Sequence, residues 1–213
     1  MKITWLGHAC YLLESDNGTR IVIDPFNPDI GYKAPNVKAD IVTKSHEHHD
    51  HNATDQVLGS FQVIDSIEER VVDDITISGI NTYHDQEEGS KRGENRIFKY
   101  KVDNLDIVHC GDLGHMLSIE QIEKLGNIDI LFIPVGSVYT IDGKKAYELV
   151  KKMNPKVVIP MHYKTSQLKI DLRPVDDFLK LIDTYQQENT NCIKISQDNI
   201  MNISPVVVLL EPK

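Results

Sequence analysis

Apolar residues in this chain fall mostly in short runs broken by turn formers, a pattern that predicts many strands and few helices. Ile3 and Trp5, then Cys10 and Leu12, alternate with polar neighbours around a Gly7-His8 turn. The second strand ends at Asn17-Gly18, a hairpin signal. The third, Arg20-Ile21-Val22-Ile23-Asp24, stops at Pro25, which cannot continue a central ladder. Residues 26 to 38 read as a long loop. Ala39 to Thr43 reads as a buried strand, and 52–58 as a short helix. Further strands are expected near 61–64, 70–73 and 75–80, then at 96–102 and 105–109 around an Asp103-Asn104 turn. Helical spacing appears at 118–125, with Ser118 as cap and Gly126 as stop, at about 143–153, and at 174–185 behind Pro174. Strands at 128–133 and 156–160 stand between these helices, and closing strands follow, one of them at 206–210. No linker or low-complexity segment divides the chain, so one domain covering 1–213 is expected, with two sheets packed face to face under helices.

The polar residues that follow these strands change the picture. Residues 45 to 51, Ser-His-Glu-His-His-Asp-His, come directly after the buried run. In an extended segment His46, His48 and Asp50 share one side, and His51 opens the next stretch. Imidazole and carboxylate together are the ligand set of zinc, also accepted by manganese or iron. Glu47 and His49 have the opposite parity and are expected to be non-ligands. Four more strand ends carry a candidate: Asp24, His84, Asp112 between Gly111 and Gly114, and His162. Asp24 is either a turn former or a carboxylate that holds a metal-bound imidazole by its free N–H. His8 and His115 sit beside glycines at strand ends and compete for such supporting roles, whereas His109, inside a strand, reads as a core histidine. Thr140 and Lys164 follow strand ends on the same side and are placed to grip a phosphate or carboxylate, although a solvated lysine is the plainer reading of Lys164. The segment 85–95 reads as a flexible polar loop.

The formal charge of −9, without a basic stripe, argues against nucleic acid as the partner. No apolar run approaches a bilayer-spanning length, and no signal-peptide core opens the chain. Cys10, Cys110 and Cys192 are far apart and set in strand-like runs, as expected of reduced thiols in a cytoplasmic protein.

The ordered series Asp24, His46 to His51, His84, Asp112, His162 resembles the metallo-β-lactamase superfamily, along essentially the entire chain. Within it, Trp5-Leu6-Gly7-His8-Ala9, Gly111-Asp112-Leu113-Gly114-His115 and Pro160-Met161-His162-Tyr163 are similar to the branch of ascorbate-6-phosphate lactonases and N-acyl-phosphatidylethanolamine phospholipase D-like hydrolases. The resemblance implies an αββα sandwich of two mixed, largely antiparallel sheets. It also implies two divalent metal ions, zinc foremost: His46, His48 and His84 would hold the first, Asp50, His51 and His162 the second, with Asp112 bridging. Asp112 stands where dinuclear β-lactamases use cysteine, which disfavours antibiotic hydrolysis, and His48 in place of glutamate disfavours the di-iron oxygen-reducing branch. A metal-bridging hydroxide, oriented by Asp50, would attack a small anionic ester, lactone or phosphodiester. Two ions about 3.5–4 Å apart lower the pKa of a shared water and polarise the attacked group. A nuclease with the same metals, or a metal-binding interaction module without turnover, are the competing expectations. A homo-oligomer is compatible with either.

Overall fold

The N-terminal alternation builds the first sheet. In the computed structural model, which describes residues 1–201 and 204–212, β1 (Lys2–Gly7) and β2 (Cys10–Glu14) pair antiparallel, as do β2 and β3 (Arg20–Ile23). β4 (Ile41–Thr43) and β5 (Gln62–Ile64) then add parallel strands. Strand parity sorts the side chains into two cores. Ile3, Trp5, Tyr11, Leu13, Ile21, Ile23 and Ile41 join the main core with residues of the second sheet, while Leu6, Leu12, Val22 and Val42 face the other way. That outer face is covered by Phe26, Ile30 and Tyr32 and by Leu168 and Leu172. The long loop at 26–38 is therefore a packed layer, and each fully buried Ile or Phe in it contributes about 1.5–3 kcal/mol.

The second sheet opens with an antiparallel meander, β6 (Arg70–Val72), β7 (Ile75–Tyr83), β8 (Glu94–Val102) and β9 (Leu105–His109). Asp103 and Asn104 both take positive φ, 50° and 61°, the paired left-handed turn expected of a two-residue hairpin. β10 (Ile130–Pro134) and β11 (Val157–Met161) continue the sheet in parallel. Their runs are buried at every position, which is how a strand covered on both faces reads. Pro160, lacking an N–H, lies beyond the last pair that β11 makes on its other side. β12 (Tyr185–Gln187) closes one edge, β13 (Cys192–Lys194) crosses to pair with β1, and β14 (Val206–Leu209) pairs with both β11 and β12. Among the described residues six strand pairs are parallel and six antiparallel, so antiparallel pairing dominates only in β1–β3 and β6–β9.

Helices are few. α1 (Ile119–Leu125) carries a full capping box, Ser118 with Gln121. α2 (Gly143–Met153) is capped by Asp142 and buries Ala146, Leu149 and Met153. The helix expected at 174–185 shrinks to one turn, α3 (Asp176–Leu179), because the amides of Leu181 and Ile182 bond three residues back and tighten the chain ahead of β12. The expected helix at 52–58 is a 3-10 turn, Thr54–Gln56, and α4 (Gln197–Ile200) is a short turn capped by Ser196. Among the described residues no helix is long and apolar enough to cross a membrane.

Candidate metal centre

The strands that deliver the candidate donors run one way within each sheet: β1, β3 and β4 in the first, β7, β9 and β11 in the second. Their C-terminal ends therefore gather at one rim. At three of these ends the first residue beyond the strand adopts a left-handed conformation: His8 at φ 54°, Asp24 at φ 46° and His162 at φ 52°. Such turns cost about 1–3 kcal/mol each and persist where the surroundings impose them. Here they reverse the chain sharply as each side chain enters the buried rim.

The donors fall into overlapping groups whose ligand atoms all lie within 4.8 Å of one another: His46, His48 and His84; His8, Asp50, His51 and His162; and His46, His51 and Asp112. His46 and His51 are shared between the groups, and Asp112 stands among their imidazoles. Its Oδ2 lies 3.1 Å from Nε2 of His84, 3.0 Å from that of His162 and 4.0 Å from that of His46, and its Oδ1 lies 3.3 Å from Nε2 of His51. His8 places Nε2 3.2 Å from Oδ2 of Asp50 and packs its ring 4.3 Å from that of His162. Glu47 is turned to Lys44 and Asn52, and His49 is exposed.

A network of buried hydrogen bonds aims these donors. Asp24 is fully buried and accepts from the Ser45 amide (2.7 Å), the Ser45 hydroxyl (2.6 Å) and Nδ1 of His51 (3.0 Å). Since the Ser45 hydroxyl donates to Asp24, it accepts from Nδ1 of His46 at 2.8 Å. One carboxylate thus fixes the tautomer of two imidazoles and leaves both Nε2 atoms as lone-pair donors facing inward. Asn95 does the same for Asp112: its Oδ1 accepts from the Asp112 amide at 2.9 Å while its Nδ2 donates to Cys110 and Thr82. His109 is the core brace expected, donating to the Ala9 carbonyl and accepting from the Gly111 amide. Gly111 has φ 54°, and a Cβ there would meet Asn95 and sit 2.6 Å from Cβ of Ser45. Gly111→Ala is therefore expected to displace Asp112 and lower thermal stability, by about 1–3 kcal/mol from the strained φ alone. Parallel thermal melts and metal titrations check this, and an unchanged metal affinity would refute it.

The charge balance of the rim calls for a cation. Asp24, Asp112 and the partly exposed Asp50 form no ion pair with lysine or arginine among the described residues; their partners are imidazoles. Burial raises the carboxyls, yet His162 and His51 beside Asp112, and His51 and His8 beside Asp50, hold both well below the usual range. Burial drives His8 down to about 4, with the neighbouring His162 adding to it, and carries His46 well below its ordinary value. His51 is the exception, since Asp112 and Asp50 outweigh its burial and push it up. Nε2 of His46, Nε2 of His51 and Oδ1 of Asp112 are buried without a hydrogen-bond partner. Orphaned lone pairs converging among buried carboxylates fit a metal ion, which neutralises the charge and fills the vacant donors.

Over the centre lies a cleft of about 440 Å³, lined by the donors His48, Asp50, His84, Asp112 and His162 together with His49, Arg92, Tyr139, Ile170 and Asp171. Thr140 borders an adjoining hollow with His84, and its hydroxyl donates to the Ile141 carbonyl. The Lys164 ammonium donates to the carbonyls of Leu168 (2.6 Å) and Ile170 (2.9 Å) and so braces its own loop. His115 sits behind His84, accepting from the Tyr83 amide and donating to the Met116 carbonyl.

Residues 2–162 match the model of the Beta-lactamase superfamily domain. The chain belongs to the metallo-β-lactamase superfamily. It is 33% identical over 196 residues to a UPF0173 metal-dependent hydrolase of Pelotomaculum thermopropionicum, covering 78% of this chain and 85% of that one. A UPF0173 metal-dependent hydrolase of Archaeoglobus fulgidus is 32% identical over 213 residues, 85% and 90% of the two chains. A candidate zinc-dependent hydrolase of the superfamily from Thermotoga maritima, known from its crystal structure, is 42% identical with a TM-score of 0.82, covering 100% of this chain and 99% of that one. This superfamily member is accordingly a metal-dependent hydrolase, and its His/Asp rim is able to bind metal.

Proposed function

We propose that this hydrolase holds two divalent ions and cleaves a small anionic ester, lactone or phosphodiester. His46, His48 and His84 would hold one ion and Asp50, His51 and His162 the other, with Asp112 shared. The observation that carries this reading is the set of buried, partnerless donor atoms on His46, His51 and Asp112, flanked by carboxylates that no lysine or arginine neutralises among the described residues. All-imidazole and carboxylate donors favour zinc, and manganese or iron take the same set. Bound there, the ions supply Lewis acidity and a water acidified to near neutrality. The chain's own contribution is orientation and dryness. Asp24 and Ser45 present the His46 and His51 lone pairs, and Asn95 fixes the Asp112 backbone. His8, kept neutral by burial, positions Asp50 through Nε2, which lets that carboxylate orient a nucleophile or hold its proton.

A small substrate is favoured because a long polyanion would have to cross a surface of net charge −9. The test is a metal-loaded preparation, with metal content measured, assayed against lactones, phosphodiesters and short RNAs. We expect two equivalents of metal, small substrates turned over far faster than RNA, and a weak salt dependence of kcat/KM. Fast RNA cleavage at low salt that falls steeply as salt rises would favour a nuclease, and metal without turnover of any substrate would favour a binding module.

A further inference from the structure

The loop between β7 and β8 is built around a carboxylate. Asp85, next to His84, accepts hydrogen bonds from four backbone amides: Glu87 and Gly89 on Oδ1 (2.7 and 2.9 Å), and Lys91 and Arg92 on Oδ2 (3.0 and 2.8 Å). A segment that composition alone marks as flexible is thereby wound into a fixed turn. Gly114 packs so closely beneath it that a Cβ would collide with the amide of Asp85. The winding has a directional result. It sets Arg92 at the border of the cleft, with its guanidinium 4.5 Å from the centre of the Tyr139 ring.

Asp85 is the carboxylate that the amide of Arg92 itself binds, but its oxygens are occupied by loop amides. Glu87 is paired with Lys91. Among the described residues no carboxylate forms an ion pair with Arg92, and its guanidinium makes no hydrogen bond. A half-buried guanidinium held over an aromatic ring at the border of a cleft, with its fork of donors unused, is a preorganised receptor for a planar or tetrahedral oxyanion. The metal donors lining the same cleft belong to the bond being cleaved.

We infer that Arg92, laid on Tyr139, selects substrates carrying a second anionic group, a carboxylate or phosphate, apart from the scissile bond. This rests on the hydrolase reading of the cleft and narrows it: the substrate is anionic at a fixed distance from the reacting group. Asp85 is the positioning residue, acting through the loop.

The test uses metal-loaded protein and titration calorimetry with linear dicarboxylates from malonate to adipate, each against the monocarboxylate of equal length. A second series replaces one carboxylate by a phosphonate. We expect at least one chain length to bind about tenfold or more tightly than its monoanionic counterpart. That preference should vanish in Arg92→Ala and Arg92→Gln and return in part in Arg92→Lys, which keeps the charge without the fork. A stronger preference in the phosphonate series supports the same subsite with phosphate as the group. No preference at any length, or one that survives in Arg92→Ala, overturns the inference. Metal content measured on every sample separates these outcomes from a failure of the metal assignment, which would appear as metal loss in wild-type protein.

Discussion

Replacing both His46 and His48 by alanine is expected to empty the proposed first metal position and abolish hydrolysis while the chain still folds. His46 approaches the centre from the end of β4 with its Nε2 buried and free, and His48 follows on the same side of the segment. Of the group formed with His84, only that single imidazole would remain beside Asp112. A lone imidazole and a shared carboxylate do not satisfy a divalent ion that takes four ligands. Loss of the ion removes both Lewis acid and activated water, so kcat/KM should fall at least about a thousandfold, or about 4 kcal/mol of transition-state stabilisation. The sheets make no use of either side chain in their ladders, and circular dichroism should be unchanged. Metal analysis after dialysis decides the matter: full occupancy in the double variant would sink the assignment.

The second large effect is expected at Asp24. Asp24→Asn keeps the shape but offers one acceptor where the carboxylate offers two. Three donors now converge on those oxygens: the Ser45 amide, the Ser45 hydroxyl and Nδ1 of His51. With an amide NH2 facing it, His51 is driven toward the tautomer that protonates Nε2, and a protonated nitrogen is no ligand. The Ser45 hydroxyl that accepts from His46 loses its own acceptor by the same change. Both halves of the centre are affected by one substitution, so metal affinity should drop by about 10–100-fold. If Asp24 were only a turn residue, favoured for its φ of 46°, thermal stability would fall and metal affinity would hold. Measuring the two on the same variant distinguishes them.

Much of the centre was legible because its donors are imidazoles and carboxylates placed just beyond β-branched runs, where a strand end aims them. Ser45 and Asn95 were not. A serine between lysine and histidine, or an asparagine in a polar loop, has no distinctive spacing, and its role depends on which strands meet. Arg92 was hidden for a different reason. A formal charge count sets Asp85 against it, whereas in the fold the oxygens of Asp85 are taken up by amides of its own loop. The loop contacts of Lys164 were hidden as well, since a lysine after a strand end gives no hint that two carbonyls will accept from it. The helix at 174–185 was overread because Val175, Phe178, Leu179 and Ile182 keep a helical period while the backbone beneath them tightens.

The two sheets share the donor set unequally, and this has a consequence for biosynthesis. A ribosome releases the chain from its N-terminus, so β4 and the His46–His51 segment emerge well before the part of the second sheet that carries Asp112 and His162. Asp24, already present, can bind Ser45 and orient His46 and His51 early, but those imidazoles then lack the carboxylate they converge on. Asp112 takes its place only when β9 has paired with β8 and Asn95 has closed on its amide, and His162 only when β11 has joined β10. A nascent chain therefore offers a metal ion isolated imidazoles, and the full set of donors comes into being with the completed tertiary structure. Metal capture at this rim is therefore expected to mark the end of folding rather than to seed it.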